Sequence, residues 1–189
     1  MRSARGIEYR PVSKPLFCIG IKDTAIADPI ERARRTIAAS IVVDSLFGPS
    51  SEFFSELYSG GSVNSMSCGY DSILNYAFSY IIGECRDPEE IYSAFRATVG
   101  KVAADGLNRA DFDRIKKVSL ANFVKNFDST ESIATEGLYL AIDGILPHEY
   151  ADLLFEVDYE YASGICEELF SESRCAMMSV LPQRKDDKK

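Results

Sequence analysis

Residues 74–90 read Leu74-Asn75-Tyr76-Ala77-Phe78-Ser79-Tyr80-Ile81-Ile82-Gly83, then Glu84-Cys85-Arg86, then Asp87-Pro88-Glu89-Glu90. The first ten are dominated by aromatic and β-branched side chains, which fit a pleated, half-buried surface, so a strand is predicted. The last four are a helix start: an aspartate to cap, a proline at the first helical position, and acidic residues in the first turn. Just upstream, residues 62–70 alternate loosely through Val63, Met66, Cys68 and Tyr70, with Asp71-Ser72 read as a hairpin turn. Strands joined by a short turn pair antiparallel. A hairpin that delivers into a helix points to an α+β protein.

Downstream, Ile91, Phe95, Val99 and Val102 form the apolar stripe of the helix, which Gly106 ends. Asn108 with Asp111 starts another helix, through Phe112, Ile115, Leu120 and Phe123. Asp128 with Glu131 starts a third, through Ile133, Leu138 and Ile142 to Gly144. After Pro147, residues 150–155 form a short helix or turn, and Asp158 caps a helix carrying Tyr161, Ile165 and Leu169. Cys175 to Leu181 is a closing strand.

Upstream, residues 7–13 alternate weakly as a strand, and Leu16 to Ile21 is a buried strand. Asp28-Pro29-Ile30-Glu31 repeats the helix start, and the segment from Thr36 to Val43 is apolar almost all round, which places it deep in a core. Ser50 or Ser51 caps a shorter helix that stops at Gly60-Gly61. The expected protein is α+β: a mostly antiparallel sheet with helices packed on one face, one domain over residues 7–182, and a disordered tail over 183–189.

Composition narrows the function. The chain has 189 residues, 29 acidic against 21 basic, for a net charge of -8. That balance repels polyanions, so neither nucleic acid nor an anionic membrane is an expected partner. No apolar run approaches the ~20 residues of a membrane span. No signal peptide is recognisable, and five cysteines without a C-x-x-C pair read as reduced thiols, so the expected location is cytoplasmic. The single histidine, His148, excludes any metal site that needs two histidines from one copy. His148-Glu149-Tyr150-Ala151-Asp152 has a carboxylate where H-E-x-x-H has its second histidine, and reads as a helix entrance. There is no G-x-S-x-G elbow and no glycine-rich phosphate loop. Arg32, Arg34 and Arg35 read as a solvated face or as partners of nearby carboxylates. No catalytic residue and no metal ligand is assigned from the residues.

Several stretches in order resemble the C-terminal half of the insulinase/pitrilysin family of zinc metallopeptidases, related to mitochondrial processing peptidase, and in particular its YmfH-like bacterial branch. They are Pro15 to Asp23, Leu46-Phe47-Gly48-Pro49-Ser50-Ser51 with Phe54 to Tyr58, Asp87-Pro88-Glu89-Glu90, Gly106-Leu107 with Asp111 to Lys117, and Asp128 with Glu131 to Ala134. The resemblance implies a processing-peptidase-like half. In such enzymes two homologous halves close around a peptide, and the N-terminal half carries H-x-x-E-H and the zinc. This chain, with one histidine, resembles the non-catalytic half, and the resemblance implies that it closes the chamber, helps hold the peptide, has no cofactor of its own and is inactive alone. Its partner is then an N-terminal catalytic half or a homologous subunit, with zinc held there. The alternative is a stand-alone interaction subunit that kept the peptidase fold. Family members often carry an Arg and a Tyr after the Ser-Ser helix; the matching positions here hold Tyr58 and Val63-Asn64, so Tyr58 and Asn64 are the candidate substrate contacts and a guanidinium clamp is missing.

Overall fold

The computed structural model describes residues 5–170 and 174–183. In chain order the elements are β1 (Arg5–Arg10), β2 (Leu16–Asp23), α1 (Pro29–Phe47), α2 (Glu52–Ser59), β3 (Val63–Ile73), β4 (Tyr76–Cys85), α3 (Pro88–Asp105), α4 (Arg109–Lys125), α5 (Thr130–Ile142), α6 (Pro147–Glu156), α7 (Tyr159–Leu169) and β5 (Cys175–Pro182). The strands form one sheet in the order β1-β5-β2-β4-β3. Only β1 and β5 pair parallel; the other three neighbours are antiparallel. The α+β class and the mostly antiparallel sheet are as the sequence predicts.

Helix α1 holds the two layers together. Asp28 caps it, its Oδ1 accepting the Glu31 N–H at 2.9 Å. Ala38, Ala39, Val42 and Val43 have no exposed surface, and Ile37 and Ile41 almost none. One flank packs on Phe17, Ile19, Ile81 and Phe95, the other on Phe112, Leu154, Ile165 and Leu169. A helix with apolar residues all round must be buried all round, and α1 lies between the sheet and the outer helices. Each of the valines and isoleucines contributes roughly 1.5–3 kcal/mol by leaving water. Helices cover one face of the sheet: Phe17, Ile19 and Ile21 are buried, while the intervening Cys18 and Lys22 are exposed.

Several boundaries differ from the sequence reading. The hairpin turns at Leu74-Asn75, since Ile73 pairs with Tyr76; Asp71 and Ser72 lie within the strand, opposite Phe78 and Ala77. Turn preference at Asp-Ser yields to register, because this pairing lets Tyr70 reach Asp23 (2.8 Å) and turns Ala77 and Ile81 into the core. The first strand begins at Arg5 and ends at Arg10, where Pro11 follows and Val12 N–H turns back onto the Arg10 carbonyl. Helix α5 is capped by Ser129, whose Oγ accepts the Ser132 N–H, since Asp128 is taken up in a 3-10 turn. The segment after Pro147 is a full helix, α6. Of the expected tail, Gln183 donates to the Arg10 carbonyl at 3.0 Å, and residues 184–189 lie outside the described ones. Among the described residues no helix is long and apolar enough to cross a membrane.

Candidate functional site

Side chains alternate along a strand, so burying one face of the sheet leaves a second set pointing away from the helices. On β4 that set is Tyr76, Phe78, Tyr80 and Ile82. Tyr76 to Phe78 and Phe78 to Tyr80 have ring centroids 5.7 and 6.2 Å apart, a row of aromatics down the strand. The register sets their neighbours: Phe78 beside Lys22 and Asp71, Ile82 beside Cys18 and Ser67, and Tyr80 between Gly20 and Gly69. Cys18 in turn pairs with Met178, and Gly20 with Ala176. The row Gly69, Tyr80, Gly20, Ala176 therefore crosses the sheet with Tyr80 as its only large side chain.

The glycines shape this trough. A Cβ on Gly69 would stand 2.6 Å from the Tyr80 hydroxyl, so Tyr80 leans over a position that only glycine leaves open. A Cβ on Gly20 would meet nothing within 4 Å, so on that side the floor is open. Exposed Ile82 and Met178 rim one side. At the far end, a cleft of about 720 Å³ is lined by Lys22, Asp23, Thr24, Ala25 and Asn75 to Phe78. Around Tyr80 the face offers apolar and aromatic contact, with Lys22 and Asp71 beside Phe78 and Glu84 beyond Ile82, which suits an extended chain or another sheet face.

The end of this face is fixed by a buried polar cluster. Asp23, at the end of β2, has a side chain with no exposed surface. Arg35 donates to both its oxygens (2.7 and 2.9 Å), Tyr70 donates its hydroxyl (2.8 Å), and Arg174 approaches at 3.4 Å. Arg35 also donates to Glu168 at 2.9 Å. Burial alone would push the Asp23 carboxyl up, but the hydrogen bonds from Arg35, the Thr24 backbone and Tyr70 outweigh it and hold it below the usual range. Burial, then the Asp23 charge, pushes the Tyr70 phenol up. The cluster ties β2 to β3, α1, α7 and the approach to β5.

The arginines therefore correct the expectation of a solvated face. Arg32 and Arg35 are buried, at 6% and 9% exposure. Arg35 pairs with carboxylates, as the other part of that expectation holds, whereas Arg32 donates to the carbonyls of Ile26, Ala27 and Asp143. Arg34 lies 4.6 Å over the Tyr161 ring.

Tyr58 and Asn64 fall on either side of the connection between α2 and edge strand β3. Tyr58 is 59% exposed and stacks on Phe54 at 5.6 Å. Asn64 is exposed at a bulge, where the register shifts between Val63 and Ser65. The connection itself is held by Ser62, whose hydroxyl donates to Glu90 at 2.6 Å. No hydrogen bond joins Tyr58 to Asn64 among the described residues. His148 is exposed on the first turn of α6; Glu149 accepts the Leu146 N–H at 2.8 Å, so that carboxylate serves the helix start. Among the described residues, no group of three or more His, Cys, Asp or Glu stands where it could hold a metal ion. Cys18, Cys68, Cys85 and Cys166 are not joined in disulfides. Burial pushes the thiols of Cys18, Cys68, Cys85 and Cys166 up, Cys85 to about 11 and Cys166 to about 12, which opposes a thiolate nucleophile at these positions.

The sequence reading missed the open trough and the Asp23 cluster. The trough had a signal, the aromatics at every second position of β4 with glycines at positions 20 and 69. Asp23 had none, since a lone acid at a strand end looks like a turn residue.

Residues 24–119 match the family model of the peptidase M16 inactive domain. A search of the curated proteins returned no match. Among solved structures, a protein assigned as an M16-like peptidase from Alicyclobacillus acidocaldarius superposes with a TM-score of 0.90 at 20% identity, over 95% of this chain and 44% of that one. A protease from Helicobacter pylori gives 0.77 at 16% identity, over 94% and 44%. The inactive peptidase domain of a protein assigned as a zinc protease from Bordetella parapertussis gives 0.75 at 12% identity, over 94% and 95%. The chain thus spans 44% of the length of the first two. At these identities the likeness is one of fold.

Proposed function

The chain belongs to the family of peptidase M16 inactive domains, and from that premise we propose that it is the non-catalytic half of a zinc-dependent peptidase, closing the substrate chamber with the open face of its sheet. The supporting observation is the trough across Gly69, Tyr80, Gly20 and Ala176, an uncovered apolar surface on the side of the sheet away from the helices. A peptide laid on it meets the rings of Phe78 and Tyr80 and loses little to charge desolvation. Tyr58 at the end of α2 and Asn64 on edge strand β3 make the outer contacts: a phenol and an amide both hydrogen-bond a peptide backbone. No guanidinium stands in that pair, so the hold on substrate there is weaker than an arginine fork would give.

The zinc and the general base belong to an N-terminal catalytic half or a homologous subunit. The single sheet, with one helix shared by both apolar clusters, supports one domain over residues 7–182. Thiols rather than disulfides at Cys18, Cys68, Cys85 and Cys166 support a reducing, cytoplasmic setting.

The test uses Cys18, which is exposed on the open face. Maleimide labelling of Cys18 is followed with and without an H-x-x-E-H-bearing half, and with an extended peptide present. Protection of Cys18 on adding the half supports the chamber wall. Undiminished labelling in a complex shown to form by sedimentation refutes it. A stable complex with a protein that carries no zinc motif would favour the interaction-subunit reading.

A further inference from the structure

Helix α5 breaks the usual rule for a surface helix. Its buried residue is Leu140, and the opposite, outward side carries Leu138 (61% exposed), Tyr139 (64%) and Ile142 (72%), with Leu146 (52%) just beyond the helix end. Position 142 lies one turn from both 138 and 139, so the three form one patch. A solvated helix carries charge on that side; α5 carries only Glu131 and Glu136 in thirteen residues. Contiguous exposed apolar surface of this kind marks an interaction site.

The charges on and beside the patch are mostly carboxylates: Glu131 and Glu136 on α5, Asp143 at its end and Glu149 on α6, against exposed Lys125 ahead of Asn126 and buried Arg32, which donates to the Asp143 carbonyl at 2.6 Å. Beside the patch, a cleft of about 290 Å³ is lined by Asn126, Glu131, Ser132, Thr135, Glu136 and Tyr139. Asp143 and Glu149 flank its other end. A second copy of this chain would set the same carboxylates against each other.

We propose that the outward face of α5 docks an amphipathic basic helix of a partner protein, with apolar side chains on Leu138, Tyr139 and Ile142 and a lysine or arginine in the cleft between Glu131 and Glu136. The site lies in the helical layer, on the covered side of the sheet, and is independent of the open face.

The test titrates the full chain with a fluorescent Leu/Lys amphipathic helical peptide, and with a Leu/Glu peptide of the same apolar pattern. The Lys peptide binds, and the Glu peptide is weaker by at least about tenfold. Leu138→Ser with Ile142→Ser, both at exposed positions, weakens the Lys peptide by at least about tenfold with an unchanged thermal midpoint. Should that variant unfold, photo-crosslinking of the peptide to the unaltered chain decides the matter: adducts on residues 131–146 support the site. Absence of binding, equal binding of both peptides, or adducts elsewhere overturns it. So does self-association of the chain that the double variant abolishes, which would make the occupant a second copy.

Discussion

Replacing Asp23 removes the acceptor on which β2, β3, α1 and the approach to β5 converge. In Asp23→Ala, the Tyr70 hydroxyl and two of the three Arg35 donations lose their partner, while Glu168, whose side chain is 60% exposed, is left as the other acceptor of Arg35. Breaking a buried pair by removing one partner costs about 3–5 kcal/mol. Against a total stability of ~5–15 kcal/mol that is a large share, and at about 2–4 °C per kcal/mol the midpoint falls by roughly 6–20 °C. Asp23→Asn keeps an acceptor for Tyr70 and loses less. The sign with pH follows from the lowered carboxyl. A depressed carboxylate contributes its stability above the ordinary Asp range and loses it as pH falls through its folded value. The gap between the unaltered chain and Asp23→Asn is therefore constant from neutral pH down to about 5 and narrows below about 4. Urea melts from pH 7 to pH 3 read both quantities. A cost under about 1 kcal/mol for Asp23→Ala, or a gap that widens in acid, would refute the reasoning.

Asp44 gives the opposite pH dependence. Burial raises its carboxyl despite the Cys68 thiol at 3.5 Å, so its contribution is full below the ordinary range and lost as pH rises through the folded value. Asp44→Asn should then stabilise the chain at pH 7 by about 1 kcal/mol or less and change little at pH 3, as thermal melts at the two pH values would read. Gly83→Ala places a Cβ 2.3 Å from the Ser65 carbonyl oxygen, and backbone cannot yield cheaply, so a loss of about 1–3 kcal/mol is expected in a urea melt. Among the thiols, exposed Cys18 should react first with a maleimide at pH 7.5, with Cys85, Cys166 and Cys175 silent until urea unfolds the chain; mass spectrometry of the adducts reports the order.

Much of the fold was legible because its signals are local. The aspartate-proline starts at positions 28 and 87 and the all-round apolarity of residues 36–43 need no knowledge of neighbours, and each appears where it is predicted. Boundaries failed where two local preferences competed: Asp71-Ser72 favours a turn, but the cross-strand pairing that sets Tyr70 opposite Ser79 carries the strand three residues further, to Ile73. Arg32 and Arg35 were legible as a basic cluster and not as buried groups, because their partners lie at positions 23, 143 and 168, contacts that only the fold creates. The candidate site divides the same way. Tyr58 and Asn64 come from matching a family pattern, whereas the trough depends on which residues of four strands share a row. The apolar outer side of α5 shows the limit of periodicity, since Leu138 and Ile142 repeat at the spacing of a core stripe and yet face out.

Peptide cleavage bears on the whole reading. The purified chain, and then the chain mixed with an H-x-x-E-H-bearing half, would be offered a fluorogenic peptide library with and without a chelator. The expected result is no cleavage by the chain alone and chelator-sensitive cleavage that rises when the two halves are combined. Chelator-sensitive cleavage by the chain alone, with stoichiometric zinc, would contradict it, and would assign a metal-binding role to exposed His148 and to neighbouring carboxylates such as Glu149, which here caps the start of α6.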